Sequence, residues 1–122
     1  MKGVAFYFKE DFDMQWFLLI LAGVFEVAWA IAMKYSNGFT VLIPSVITVV
    51  GYIASAVFLA LALKHLPLGT AYAMWTGFGI VGTTVLGVLL FNEQLSIPQV
   101  ICVILIVIGI VGLKLLSPSE LV

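Results

Sequence analysis

The sequence predicts an all-α membrane protein built from four transmembrane helices. Composition is the first reason: of 122 residues, 64% are hydrophobic and only 9% are charged, whereas soluble domains carry about 25% charged residues. The second is the order of the apolar runs, at residues 16–33, 39–63, 66–92 and 94–113. Each is about as long as the roughly 20 helical residues that cross a hydrocarbon core; membrane strands would read as shorter alternating segments. The third is the brevity of what lies between them. Residues 34–38, 64–69 and 92–94 have turn composition and leave no room for a soluble domain, so any chemistry belongs inside the membrane or at its surfaces.

The first run holds one charge, Glu26, almost at its middle. An acid at the centre of a spanning helix costs about 2.5–3.5 kcal/mol on insertion scales, and each leucine or isoleucine returns roughly 0.3–0.6 kcal/mol. The run has enough of them to insert. No lysine or arginine lies in any span to neutralise the acid, and intramembrane acids of this kind bind protons or cations. On a helical period its face carries Leu19, Ala22, Gly23, Trp29, Ala30 and Met33, with small residues on one side of the acid and Trp29 on the other. A purely structural acid, protonated and hydrogen-bonded between helices, is the alternative.

In the second run Tyr52 and Ser55 share a face near mid-membrane, with Gly51 beside them, and Pro44 lies near the start, where a missing N–H is tolerated. The third run places Tyr72, Trp75, Gly79 and Gly82 on one stripe. An acid ringed by aromatics suits a cation, since ring faces attract positive charge by about 0.5–2 kcal/mol each. Taken singly, the aromatics could be interface anchors, and Ser55 could bond to its own backbone. Residues 77–82 spell G-x-G-x-x-G, but a dinucleotide fingerprint needs a strand before it; inside an apolar run these glycines serve close packing or flexibility. The fourth run carries Pro98, Cys102, Gly109 and Gly112. Small residues let membrane helices approach closely, and Gly109 and Gly112 mark this helix as a candidate dimer contact. Four helices fill their own centre with side chains, so a transport pathway implies a second copy.

The remaining features exclude more than they assign. Cys102 is the single cysteine and no metal-ligand spacing occurs, so neither an internal disulfide nor a metal is expected. No basic patch points to nucleic acid. His65 and Glu93 fall in turns and read as solvated residues. Acids at 10, 11 and 13 and Glu26 itself argue against a cleaved signal peptide, despite the Ala28-Trp29-Ala30 sequence. With four spans, Lys2, Lys9, Lys64 and Lys114 share one side and Lys34 takes the other, which places both termini in the cytoplasm by the positive-inside rule. Counted from Met14, the balance is two lysines against one, close to that of a chain that inserts both ways. Residues 1–13 are accordingly set apart as an extension, 14–117 as the transmembrane domain and 118–122 as a tail.

Three segments, "AGVFEVAWAIAMKYSNGF" (22–39), "LPLGTAYAMWTGFG" (66–79) and "GVLLFNEQLS" (87–96), together resemble the small multidrug resistance transporters. Glu26 followed by Trp29, the "KYSNGF" turn, and Thr76 after Trp75 resemble that family's guanidinium exporter branch. The resemblance implies an antiparallel, dual-topology homodimer in the bacterial inner membrane, not an enzyme and without a cofactor, that exchanges protons for cations by alternating access. It implies proton and substrate binding at Glu26, with Trp29, Ser55, Tyr72 and Trp75 in the substrate site. It further implies space beside the acid at Gly23, with Tyr52 and Gly79 in support, and a dimer contact in the fourth helix around Gly109. Guanidinium-like cations are then the expected substrates, and a broader quaternary-ammonium exporter of the same family is the alternative. A non-transporting membrane partner and a passive cation channel are the readings from other classes.

Overall fold

The computed structural model describes the backbone of residues 2–116 and the side chains of residues 13–116; the expected tail, residues 118–122, lies outside the described residues. Among those described there are four helices and no strand: α1 (Lys2–Tyr35), α2 (Leu42–Ala62), α3 (Leu68–Phe91) and α4 (Ile97–Leu116). The spans within them are Asp13–Tyr35, Leu42–Ala62, Leu68–Phe91 and Ile97–Leu116, each 20 residues or longer, so the expected all-α architecture of four transmembrane helices stands. The backbone of residues 2–13 continues α1.

Short connections make sequential helices antiparallel neighbours. Between α1 and α2, Ser36 is fully buried; its hydroxyl donates to the Met33 carbonyl (2.6 Å) and accepts from the Phe39 N–H (3.0 Å). Asn37, Gly38 and Phe39 all take positive φ, at 49°, 70° and 66°, conformations that an asparagine and a glycine adopt most readily. Between α3 and α4, Asn92 adopts the left-handed conformation common at helix C-termini, and the Asn92 and Glu93 N–H groups both reach back to the Gly87 carbonyl. α4 opens on reciprocal bonds: the Ser96 N–H donates to Gln99 Oε1 (2.8 Å) and the Gln99 N–H to Ser96 Oγ (3.4 Å), a capping box that satisfies donors the helix start leaves unpaired.

α1 is the central element. It packs along both α2 and α3, while the α4 backbone approaches only α3. A buried core of Trp16, Leu19, Ala22, Leu59, Ala62, Leu66, Ala71 and Met74 lies where the middle of α1 meets the end of α2, the α2–α3 connection and the start of α3. Glycines set how closely the helices meet. A Cβ at Gly77 would overlap Ile110 of α4, and one at Gly82 would overlap Val27 of α1. The outer faces are apolar and open: Leu42, Ile43, Val50 and Ile53 on α2, and Ile97, Leu105 and Ile108 on α4, are all more than half exposed, as expected of surfaces that meet lipid or another membrane helix. α4 buries none of its residues within the chain.

Candidate functional site

Glu26 lies on α1 one turn beyond the fully buried Ala22, at the point where the core gives way to looser packing. It faces α3 across Gly79: a Cβ there would lie 2.9 Å from Glu26 Cγ. The absence of a side chain at position 79 is thus what lets the acid's stem lie against α3. Among the described residues the carboxylate has no lysine partner.

One indole donates to it and one hydroxyl stands near it. The indole N–H of Trp29, one turn along the same helix, donates to Glu26 Oε2 at 3.1 Å. The hydroxyl of Ser55 on α2 stands 3.4 Å from the same oxygen but only 2.7 Å from the Ala22 carbonyl. A hydroxyl has one proton, and the shorter contact identifies Ala22 as its acceptor. Ser55 in turn accepts the indole N–H of Trp75 from α3, at 2.8 Å. The chain Trp75, Ser55, Ala22 ties all three helices together at the level of the acid. Ser55 is completely buried and bonds across to α1 rather than to its own helix.

The other expected residues take distinct places. Tyr52 meets the Trp29 ring edge-on, with centroids 5.3 Å apart and planes at 85°. Tyr72 leans on Trp75 with centroids 5.4 Å apart. Both tyrosines are about half exposed, so each backs a tryptophan and keeps an open side. The room at Gly23, expected beside the acid, is filled by Phe78 of α3: a Cβ at Gly23 would lie 2.8 Å from Phe78 Cδ2. Both tryptophans donate an N–H at the centre, Trp29 to Glu26 and Trp75 to Ser55. Gly109 and Gly112 on α4 stand apart from this cluster, and nothing within the chain lies within 4 Å of a Cβ built on either.

Two further contributors complete the site. Gly51 seats Trp29 against α2, since a Cβ there would lie 2.9 Å from Trp29 Cβ; its register beside Tyr52 and Ser55 was the available signal. The Ala22 carbonyl, the acceptor for Ser55, carries no signal in sequence. Glu93 is the exposed residue of the last connection that the sequence predicts, and it also pairs with Lys34 of α1 at 2.5 Å, both side chains about half exposed. The tight turn at the end of α3 sends its carboxylate back towards α1.

The arrangement offers an intramembrane carboxylate that accepts from an indole N–H and has no lysine partner among the described residues. Such a group can take up a proton or a cation with N–H donors, and no group of three or more histidine, cysteine, aspartate or glutamate residues able to hold a metal occurs among the described residues. The chain matches the family model described as Small Multidrug Resistance protein over residues 14–106. It is 53% identical over 104 residues to a protein named guanidinium exporter from Yersinia pseudotuberculosis serotype I (strain IP32953), covering 85% of this chain and 100% of that one. It is 50% identical over 102 residues to the guanidinium exporter of Escherichia coli (strain K12), covering 84% and 97%. With the guanidinium exporter of Proteus vulgaris it shares 48% identity over 104 residues, 85% of this chain and 100% of that one.

Proposed function

Because this chain belongs to the small multidrug resistance family, integral proteins of the bacterial inner membrane, we propose that it exports guanidinium and small guanidinyl cations in exchange for protons. The observation that carries the proposal is the Glu26 carboxylate within reach of Trp29 and Ser55, with no lysine paired to it among the described residues. The names of the relatives supply the substrate class.

Deprotonated Glu26 receives the planar guanidinium ion, whose paired N–H groups match the two oxygens of a carboxylate. The Trp29 N–H occupies one lone pair of Oε2 and fixes the rotation of the carboxylate, so the remaining lone pairs face the open side. Tyr52 and Tyr72, braced on Trp29 and Trp75, line the approach with ring faces that attract a cation. A proton arriving at Glu26 removes the charge that holds guanidinium. One acid therefore carries either species but not both, and this couples their flows.

Alternating exposure to the two sides requires a second copy. α4, which buries none of its residues and leaves open space where a Cβ would stand at Gly109 and Gly112, provides a surface on which another helix can approach closely. In the proposed cycle two copies, opposed in the membrane, exchange conformations and open the site to each side in turn.

Purified protein in proteoliposomes tests this directly. Guanidinium should accumulate against its own gradient when the lumen is made acidic, and the accumulation should collapse with the pH difference. Transport of tetraphenylphosphonium without guanidinium would favour the broader cation exporter. Guanidinium flux indifferent to the pH gradient would indicate a channel.

A further inference from the structure

A second acid stands at the loop end of the seam between α1 and α3. Glu93 is ion-paired with Lys34 at 2.5 Å, and the Lys34 ammonium also lies 4.8 Å from the centroid of the Phe91 ring. The Tyr35 ring also packs on Phe91, with centroids 4.8 Å apart and planes tilted by 47°. A cation thus sits between a carboxylate and an aromatic face, the same chemistry that surrounds Glu26. Here the cation belongs to the protein.

The backbone builds this arrangement deliberately. Asn92 in the left-handed conformation and the bond from the Glu93 N–H to the Gly87 carbonyl fold Glu93 back onto α3. The bare Gly87 makes room, since any Cβ there would overlap the Glu93 carboxylate. Beside the pair opens a cleft of about 320 Å³, lined among others by Ala30, Thr83 and Thr84. Ala30 and Thr83 lie one turn from Glu26 and Gly79, so the inner end of the cleft comes within a helical turn of the central acid. Lys34 is about 12 Å from Glu26 along α1.

Apart from Lys34, the polar side chains that line the cleft present acceptors. Thr83 gives its hydroxyl proton to the Gly79 carbonyl (2.6 Å) and Thr84 gives its own to the Ile80 carbonyl (2.6 Å). A hydroxyl that has donated to backbone retains only acceptor lone pairs. Together with Glu93 and the face of Phe91, the cleft suits a small cation rich in N–H groups.

We propose that this cleft is a second guanidinium site, an outer station from which the cation passes to or from Glu26, and that Lys34 is its tethered occupant when substrate is absent. The inference rests on guanidinium being the substrate. A side-chain ammonium on a short tether competes at an effective concentration in the millimolar range. The outer site is therefore weak by construction: it fills while substrate passes and empties back to Lys34.

Guanidinium chloride titrated calorimetrically into detergent-solubilised protein tests the site. The Glu26→Gln background silences the central acid. In that background Lys34→Met is expected to create measurable guanidinium binding, and adding Glu93→Gln to abolish it. Tetramethylammonium, which has no N–H donors, is expected not to bind. In unaltered protein with ¹⁵N-labelled lysine, the Lys34 Nζ resonance should shift as guanidinium saturates, a readout that needs no variant to fold. No binding by the Glu26→Gln/Lys34→Met protein, with a fixed Lys34 resonance in an unaltered protein that does bind guanidinium, overturns the outer site and leaves the ion pair as a strut. Unaltered protein that binds no guanidinium at all overturns the functional reading instead.

Discussion

The indole N–H of Trp29 donates to Glu26 Oε2 at 3.1 Å, one turn away on the same helix. Neither residue needs another element to find its partner, because side chains three apart on a helix are neighbours. The tryptophan is thus more than a wall of the site. It supplies a donor to an acid that has no lysine partner among the described residues.

Replacing Trp29 with phenylalanine keeps a ring against Gly51 and Tyr52 but removes the donor. A hydrogen bond to a charged group contributes roughly 1.5 kcal/mol or more, and 1.4 kcal/mol is about a factor of ten in affinity. Guanidinium affinity of Trp29→Phe, measured by calorimetric titration, is expected to fall about tenfold while the protein remains folded. Affinity equal to that of unaltered protein would show that the N–H has no part in binding.

Ser55→Ala breaks the chain at its centre. The Trp75 N–H and the Ala22 carbonyl each lose a partner, and leaving a buried polar group unsatisfied costs about 1–3 kcal/mol. A lower midpoint of thermal unfolding in detergent is expected, together with slower guanidinium transport. Proton binding at Glu26 should survive, because Ser55 is 3.4 Å from the carboxylate and gives its proton to Ala22 at 2.7 Å.

Gly79→Ala tests the seating of the acid. The new methyl group would stand 2.9 Å from Glu26 Cγ, closer than carbon atoms pack, and the flexible glutamate must move rather than the helix. The variant is expected to insert and fold, with exchange of guanidinium for protons reduced by an order of magnitude or more in proteoliposome flux. Exchange at the unaltered rate would mean that the position of the acid against α3 is unimportant.

Gly109→Leu and Gly112→Leu probe the second copy. Within the chain neither substitution meets any atom within 4 Å of the new Cβ, so the fold of a single subunit should tolerate both. If α4 is the contact between copies, resonance energy transfer between labelled subunits should decrease and transport should fall with it. Unchanged association would place the contact elsewhere.

The four spans were legible because membrane insertion is decided by local composition, and each run carries its own signal. Glu26 stood out for the same reason, as the one charge in a span. The partners of the site were less visible. The period of the helix puts Trp29 beside Glu26, but nothing in sequence reveals that Ser55 reaches the Ala22 carbonyl, or that Phe78 takes the space left at Gly23. Those contacts depend on how α2 and α3 rotate about their axes against α1, which glycines at 23, 51 and 79 set jointly. The Lys34–Glu93 pair was hidden most completely. Its members are 59 positions apart, and they meet only because a left-handed Asn92 turns the chain back at the end of α3.

The central claim is that a proton and guanidinium compete for Glu26. Guanidinium added to concentrated, weakly buffered protein in detergent should release protons, detected as a fall in pH, wherever Glu26 is protonated beforehand. By linkage the affinity should weaken by about tenfold for each pH unit below the titration of the acid. Glu26→Gln should release none. Guanidinium binding with no proton released at any pH, or proton release that persists undiminished in Glu26→Gln, would contradict the account.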